Sequence, residues 1–296
     1  MDQKAFFATL SAEQKSALLE KSDGPALLHA SLHFGLILAL GTAIALQAPF
    51  WPLLLLPQGI LIVFLFTALH EASHLTAFKS KPLNRAVAFI GGFLVLLPPR
   101  WFGYFHFAHH RYTQDPTRDP ELESPKPDSL PRYLLYLSGL PVWRSHAKTL
   151  LENAKGRFGP YVPAAQANAL RDEARIFLLL YFGLAIICLA FGLWQVVTVW
   201  ILPALLGQPF LRAYLLAEHA GCPQSPNMLE ATRTTYTNPL LRWLAWNMPY
   251  HAEHHSFPGV PFHKLPELHS LMRPHLKVTA KGYRAFNRGF RAALLR

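Results

Sequence analysis

The chain has 296 residues, of which 51% are hydrophobic and only 15% charged. Ordinary soluble domains carry about 25% charged residues, so this composition excludes a conventional soluble protein and points to a membrane one. The formal net charge of +11 would suit a nucleic-acid binder, but no nucleic-acid recognition motif accompanies it, and no nucleic-acid partner is expected.

Met1 to Asp23 is polar with a Ser11-Ala12-Glu13 helix start, and it reads as a short amphipathic helix rather than a signal peptide. Apolar stretches near the roughly 20 residues needed to cross a bilayer then run from Leu27 to Phe50, Trp51 to Leu69, Ile176 to Leu193 and Gln195 to Ala217. They predict two hairpins, whose turns at Ala48 to Pro52 and Gly192 to Gln195 contain no lysine or arginine. Cations gather elsewhere: Lys4, Lys15 and Lys21 before the first stretch, fourteen from Lys79 to Arg175, and ten from Arg233 to Arg296. The positive-inside rule then expects both termini and the long central segment in the cytoplasm. Ala86 to Pro99 is too short to span and is interrupted by Gly91 and Gly92, so it predicts a re-entrant or interfacial element. Pro52, Pro57, Pro203 and Pro209 fall in the apolar stretches, where membrane helices tolerate proline better than soluble ones.

Nine of the fifteen histidines lie in four groups: His70 and His74 in HEASH, His106, His109 and His110 in HFAHH, His219 in AEHAGC, and His251, His254 and His255 in HAEHH. Residues three or four apart share a helix face, so three of the groups offer paired ligands. Imidazole suits iron, zinc, copper or nickel, and nine donors exceed what one ion accepts, which makes two metal ions the simplest reading. The expected topology brings every group to the same side of the membrane. His29 and His33 share a face of the first stretch without a third partner and read as packing or headgroup contacts. His146, His263, His269 and His275 stand in polar, proline-rich surroundings and are expected at the surface. Cys188 and Cys222 are not expected to pair, and Cys222 reads as a packed thiol.

The three boxes, in order, composition and spacing, resemble those of the membrane-bound fatty acid desaturases and their relatives among hydroxylases, alkane oxygenases and carotenoid ketolases. HEASH is similar to the first box, HFAHHRYTQDPTRDPE to the second with its acidic tail, and NMPYHAEHH to the third. The AEH before Cys222 resembles the family's extra histidine, and the likeness covers about Leu65 to Phe262. The resemblance implies a nonheme di-iron centre ligated by His70, His74, His106, His109, His110, His219, His251, His254 and His255. It also implies O2 as co-substrate and attack on an unactivated C–H bond of a long apolar chain. Glu71, Glu218, Glu253, Asp115, Asp119 and Glu121 are expected to orient ligands through the second ring nitrogen, with Glu218 also open to direct ligation. In some relatives an asparagine one turn before the extra histidine holds a metal-bound water. That position is Leu215 here, and Glu218 or Asn247 is expected in its place.

The expectation is an all-α integral membrane protein, with four transmembrane helices in two hairpins and a cytoplasmic cap holding a histidine-rich di-iron site. It is read as one functional domain over 1–296: an N-terminal cytoplasmic helix over 1–25, spans and central loop over 26–217, and a C-terminal region over 218–296. The expected activity is desaturation of a fatty acyl or related lipid chain, with electrons from a separate ferredoxin or cytochrome. A hydroxylase or monooxygenase of lipid, alkane or carotenoid shares all the ligands, and a histidine-rich metal transporter is the reading from another class. Aromatic residues near the boxes, Trp101, Phe102, Tyr104, Phe105, Phe107, Trp243, Trp246 and Tyr250, suit an interfacial belt or substrate-channel walls. Arg100, Arg111, Arg118, Arg132 and the basic tail suit lipid headgroups or an acidic electron donor.

Overall fold

A computed structural model describes residues 1–295. Two short helices, α1 (Gln3–Thr9) and α2 (Ala12–Leu19), lead into α3 (Asp23–Ala45) and α4 (Leu55–Ser73). The Ser11 hydroxyl accepts from the Gln14 amide while Gln14 Oε1 accepts from the Ser11 amide, a reciprocal cap that starts α2 where the Ser11 signal expects it. The central region carries α5 (Lys81–Leu94), α6 (Pro99–Tyr112), α7 (Leu130–Leu137) and α8 (Leu140–Ala154). Then come α9 (Ala167–Phe191) and α10 (Leu202–His219), followed by α11 (Met228–Ala231), α12 (Pro239–Leu244), α13 (His251–Ser256), α14 (Leu265–Met272) and α15 (Tyr283–Ala293). Among the described residues the architecture is helical except for one two-residue parallel pair, β1 (Thr234–Thr235) with β2 (Thr279–Ala280).

Four segments are long and apolar enough to cross a membrane: Ala12–Ala45, Trp51–Ser73, Ala164–Phe191 and Val197–His219. Their outer faces are greasy and bare, with Leu38 70% exposed, Leu179 69% and Leu189 71%. A soluble monomer does not display apolar surface on that scale, whereas lipid covers it without cost. The segment expected to be re-entrant forms α5, which turns by 98° into α6. The bend is held from the second pair of long helices: Tyr181 donates to the Phe93 carbonyl at 2.7 Å and Trp200 Nε1 to the Leu94 carbonyl at 2.8 Å. The Trp200 bond satisfies the Leu94 carbonyl, which the end of α5 leaves free, and the Tyr181 bond adds to the Leu96 amide already donating to Phe93. At the start of α6 the Arg100 amide donates to Glu173 Oε2 at 2.8 Å, tying α6 to α9.

The helices overrun the apolar stretches that announce them. α4 continues past Leu69 to Ser73, and α10 past Ala217 to His219, so His70 and His219 are helical residues rather than residues of following loops. Packing extends them, since α4 is buried along most of its length and α10 lies against it. Their closest approach is at Gly59 and Gly207. A Cβ on Gly59 would lie 1.9 Å from the Pro203 carbonyl oxygen, and one on Gly207 would lie 2.3 Å from the Gly59 carbonyl. Small residues that let helix backbones touch are a common basis of helix association in membranes.

Gly59→Ala is therefore expected to force the two backbones apart, at a cost at or above the upper end of the roughly 1–3 kcal/mol typical of overpacking. Thermal unfolding of the detergent-solubilised protein should show a clear drop in midpoint. Gly35→Ala is the control, because nothing lies within 4 Å of a Cβ there, and it should leave the midpoint unchanged or raise it.

Candidate metal centre

The four histidine groups converge at one end of the helix pair. α4 delivers His70 and, at its C-cap, His74; α6 delivers His106, His109 and His110; α10 ends on His219; α13 supplies His251, His254 and His255. Of the nine, His74 and His110 are partly exposed and the other seven buried. Ligand atoms of His70, His74, His106, His110 and His254 all lie within 4.8 Å of one another, as do those of His109, His219 and His255 in a second group. His251 joins the second group through its Nε2, 2.9 Å from His219 Nε2. The two groups adjoin, since the His110 and His255 rings stack with centroids 4.0 Å apart.

Helical phase sorts the histidines. Residues four apart stay together, so His70 with His74 and His106 with His110 face the first group and His251 with His255 the second. Neighbours one apart diverge by about 100°, which sends His109 and His255 one way and His110 and His254 the other.

Hydrogen bonds at the outer nitrogens fix where the lone pairs point. His109 Nδ1 lies 2.9 Å from Asp119 Oδ1, and His219 Nδ1 lies 3.3 Å from the Ala231 carbonyl, so each donates outward from Nδ1. In the neutral rings Nε2 then bears a lone pair, yet the two Nε2 atoms face each other at 3.1 Å. His106 Nε2 similarly meets both His74 Nε2 and His110 Nε2 at 2.9 Å, and one proton there serves only one of the two contacts. His70 Nε2, His254 Nε2 and His255 Nε2 are buried with no partner at all. Such an arrangement is repulsive without cations between the rings. Two donors bound at right angles to one ion at about 2.1 Å lie about 3.0 Å apart, which matches these contacts. The donors are borderline nitrogens that suit iron, copper, nickel or zinc, and a group of five exceeds the four positions of structural zinc.

Protonation follows the same electrostatics. Burial pushes His74 down to about 3, and burial together with neighbouring imidazoles lowers His251, His254 and His255 well below the usual histidine value. His109 is the exception. Burial opposes its charged form, but Glu121 and Asp119 outweigh it and raise its pKa, so this position draws positive charge.

The acidic residues divide by role. Asp119 accepts from His109 and, through Oδ2, from the Gln114 amide at 2.8 Å. Glu71 Oε1 accepts from Thr76 Oγ1 at 2.8 Å and from the Phe262 amide at 3.0 Å, and its Oε2 stands 3.9 Å from His254 Nδ1. Glu218 Oε1 lies 3.5 Å from His251 Nδ1. Glu253 faces away from the cluster: Thr234 Oγ1 donates to it at 2.5 Å, and His269 Nδ1 bonds its other oxygen, clamping α13 to β1 and α14. Asp115 closes a local turn with Thr117 and Arg118, and Asn247 donates to the Phe262 carbonyl at 3.0 Å. Neither hydrogen-bonds a histidine of the cluster. Leu215 is partly buried in the core.

Other expectations shift. His146, His263, His269 and His275, expected at the surface, are all partly buried; His146 Nδ1 lies 2.9 Å from the Val95 carbonyl, and His269 stacks on Tyr250. His33 is fully buried, donating from Nε2 to the Leu61 carbonyl at 2.9 Å and accepting from Trp246 Nε1 at 3.3 Å, while His29 stacks on Trp243. Trp246 is thus a core residue rather than part of a belt, and Phe102 stacks on His106. Two further residues hold ligands in place. Thr113 Oγ1 donates to the His109 carbonyl and meets His255 Nδ1 at 3.2 Å, and Gln114 Nε2 donates to the His219 carbonyl at 2.9 Å. Their only sequence signal is adjacency to the second box.

Comparison with known proteins identifies the family. The family model for fatty acid desaturase matches residues 45–287. Dihydrorhizobitoxine desaturase of Bradyrhizobium elkanii is 27% identical over 278 residues, which cover 86% of this chain and 78% of that protein. Sphingolipid delta(4)-desaturase DES1 of Drosophila melanogaster is 28% identical over 218 residues, covering 71% of this chain and 62% of the fly protein, less than two thirds of its length.

Asp119→Asn removes the anion that selects the His109 tautomer, and metal affinity should fall by about 10–100-fold, measured by titration of the metal-stripped protein. His275, which packs against Phe6 and belongs to neither histidine group, provides a control whose alanine variant binds normally. The stripped protein should also lose stability as pH falls. His74, His251, His254 and His255 have folded pKa values below the unfolded value of about 6.5, so the unfolded chain binds more protons at these sites and stability declines from about pH 6.5 downwards. A thermal midpoint that is flat between about pH 7 and pH 4 would contradict this.

Proposed function

The chain belongs to the fatty acid desaturase family, and on that premise we propose that it catalyses O2-dependent desaturation of a fatty acyl or related lipid chain at a nonheme di-iron centre. The observation that carries this reading is the convergence of nine imidazoles into two adjoining groups whose lone pairs face one another. His70, His74, His106, His110 and His254 hold one iron, and His109, His219, His251 and His255 the other. Two irons bound there supply the reduction of O2 and the oxidising strength needed to take hydrogen from an unactivated C–H bond.

The protein's own groups orient and enclose. Asp119 and the Ala231 carbonyl fix the tautomers of His109 and His219, so each presents Nε2 inward. Thr113 accepts from His255 Nδ1 and thereby turns its Nε2 toward the centre. Glu71 and Glu218 lie close to His254 and His251 as their carboxylate neighbours. Burial of seven of the nine rings keeps water from the reacting groups.

In this reading the four long helices form two hairpins, and 1–296 is a single catalytic domain whose histidine-bearing end is a cytoplasmic cap. Lysine and arginine placement supports the orientation, with both termini on the cytoplasmic side. So does the contact of Gln3 with the segment after α10: its side chain accepts from the Met228 amide at 3.0 Å and donates to the Pro226 carbonyl at 3.2 Å. Electrons come from a separate ferredoxin or cytochrome, for which Arg100, Arg111, Arg118 and Arg132 offer a basic approach.

The test is the lipid profile of a host expressing this chain beside one expressing His254→Ala. An aerobic product about two mass units lighter than its precursor, absent from the variant host, is expected. A product about sixteen units heavier would replace desaturation by hydroxylation, on hydrogen and oxygen arithmetic.

A further inference from the structure

The two histidine groups are unequal: five imidazoles face the first metal position and four the second. Beside the smaller group stands a carboxylate from the acidic tail of the second box. Glu121 Oε2 lies 3.2 Å from His109 Nε2, the same nitrogen that faces His219 Nε2 at 3.1 Å. His109 has already committed Nδ1 to Asp119, so the ring meets Glu121 through Nε2 alone, where a bound cation would take the place of the Nε2 proton. Glu121 Oε2 and His219 Nε2 thus both approach His109 Nε2 at about the separation of adjacent donors on one ion.

We propose that Glu121 is a metal ligand, binding through Oε2 as the fifth donor of the second position beside His109, His219, His251 and His255. Its other oxygen, Oε1, is ion-paired with Lys126, which leaves Oε2 as the free donor. The backbone holds the residue in place, because the Glu121 amide donates to Asp119 Oδ1 at 2.9 Å. One aspartate thus orients both His109 and the segment that carries Glu121. With Glu121 counted, each position has five protein donors, and an octahedral ion keeps one place open.

This assignment rests on the di-iron reading above, and the test separates the two. Purified wild-type protein loaded with iron should carry about two irons per chain, the number of a two-metal site. Glu121→Gln keeps the shape but loses the anionic donor, so iron should fall by about half, with one of two quadrupole doublets lost from the Mössbauer spectrum. Glu121→His, which supplies a nitrogen donor, should regain iron. Lys126→Met removes only the ion-pair partner and should keep both irons. Two irons and an unchanged spectrum in Glu121→Gln would overturn the assignment while leaving the di-iron centre standing. Equal iron loss in Glu121→Gln and Lys126→Met, with none regained in Glu121→His, would also overturn it, by showing that the ion pair alone matters. A wild-type protein that takes up one iron or none would instead overturn the di-iron reading and this assignment with it.

Discussion

The contact between α4 and α10 at Gly59 and Gly207 sets the geometry on which the metal centre depends. Both helices run from this contact toward the histidine cluster, reaching His70 after 11 residues and His219 after 12. At 1.5 Å per residue that is about 17 Å of rigid helix on each side. Because the backbones touch, neither helix slides or rolls without a clash. A side chain between them would move the two ends apart by more than a metal–ligand bond tolerates. The apolar helices thus carry a geometric function beyond anchoring, since their spacing is transmitted to the end where polar groups gather.

At that end the constraint becomes electrostatic. Seven buried imidazoles carry no compensating charges of their own, and the carboxylates near them are largely taken up by other partners: Glu71 by Thr76 and Phe262, Glu253 by Thr234 and His269. These clamps explain why acidic residues sit inside the boxes. They fix the ends of α4 and α13 from outside, and so aim rings without touching them. The backbone joins in through non-glycine residues in the left-handed region beside each box: Leu75 after the first, Gln114 after the second, Trp246 and Asn247 before the third. Each costs about 1 kcal/mol or more. Surrounding bonds offset it, as where Gln114 receives Asp119 on its amide and reaches His219 with its side chain.

Much of this was legible in the sequence, for identifiable reasons. Long apolar runs announce the four long helices because a bilayer demands them, and Gly91 with Gly92 announces an element too short to span. Histidine spacing announces a metal site because ligands four apart must share a helix face. The division of the nine was not legible: His109 and His110 are adjacent in the chain but point to different groups, a matter of absolute helix rotation that spacing alone leaves open. His33 and Trp246, 213 residues apart, bond only because the fold brings α3 against the segment before the third box. His269 looked like a surface residue because its neighbours are polar, and only the fold shows Glu253 reaching it.

The asymmetry between the two groups has a physical consequence that composition hides. The first is ringed by neutral imidazoles, with Glu71 its nearest carboxylate at 3.9 Å from His254. The second has Asp119 bonded to His109, Glu121 at 3.2 Å from the same ring, and Glu218 at 3.5 Å from His251. Glu121 and Asp119 favour positive charge there, which is why His109 alone among the cluster residues beyond the long helices has a raised pKa. The same field acts on any bound cation. It stabilises the more highly charged state at the second position relative to the first, so two chemically identical ions held here would not be electronically equivalent. The inequality is written in Asp119 and Glu121, two carboxylates that the histidine count does not include.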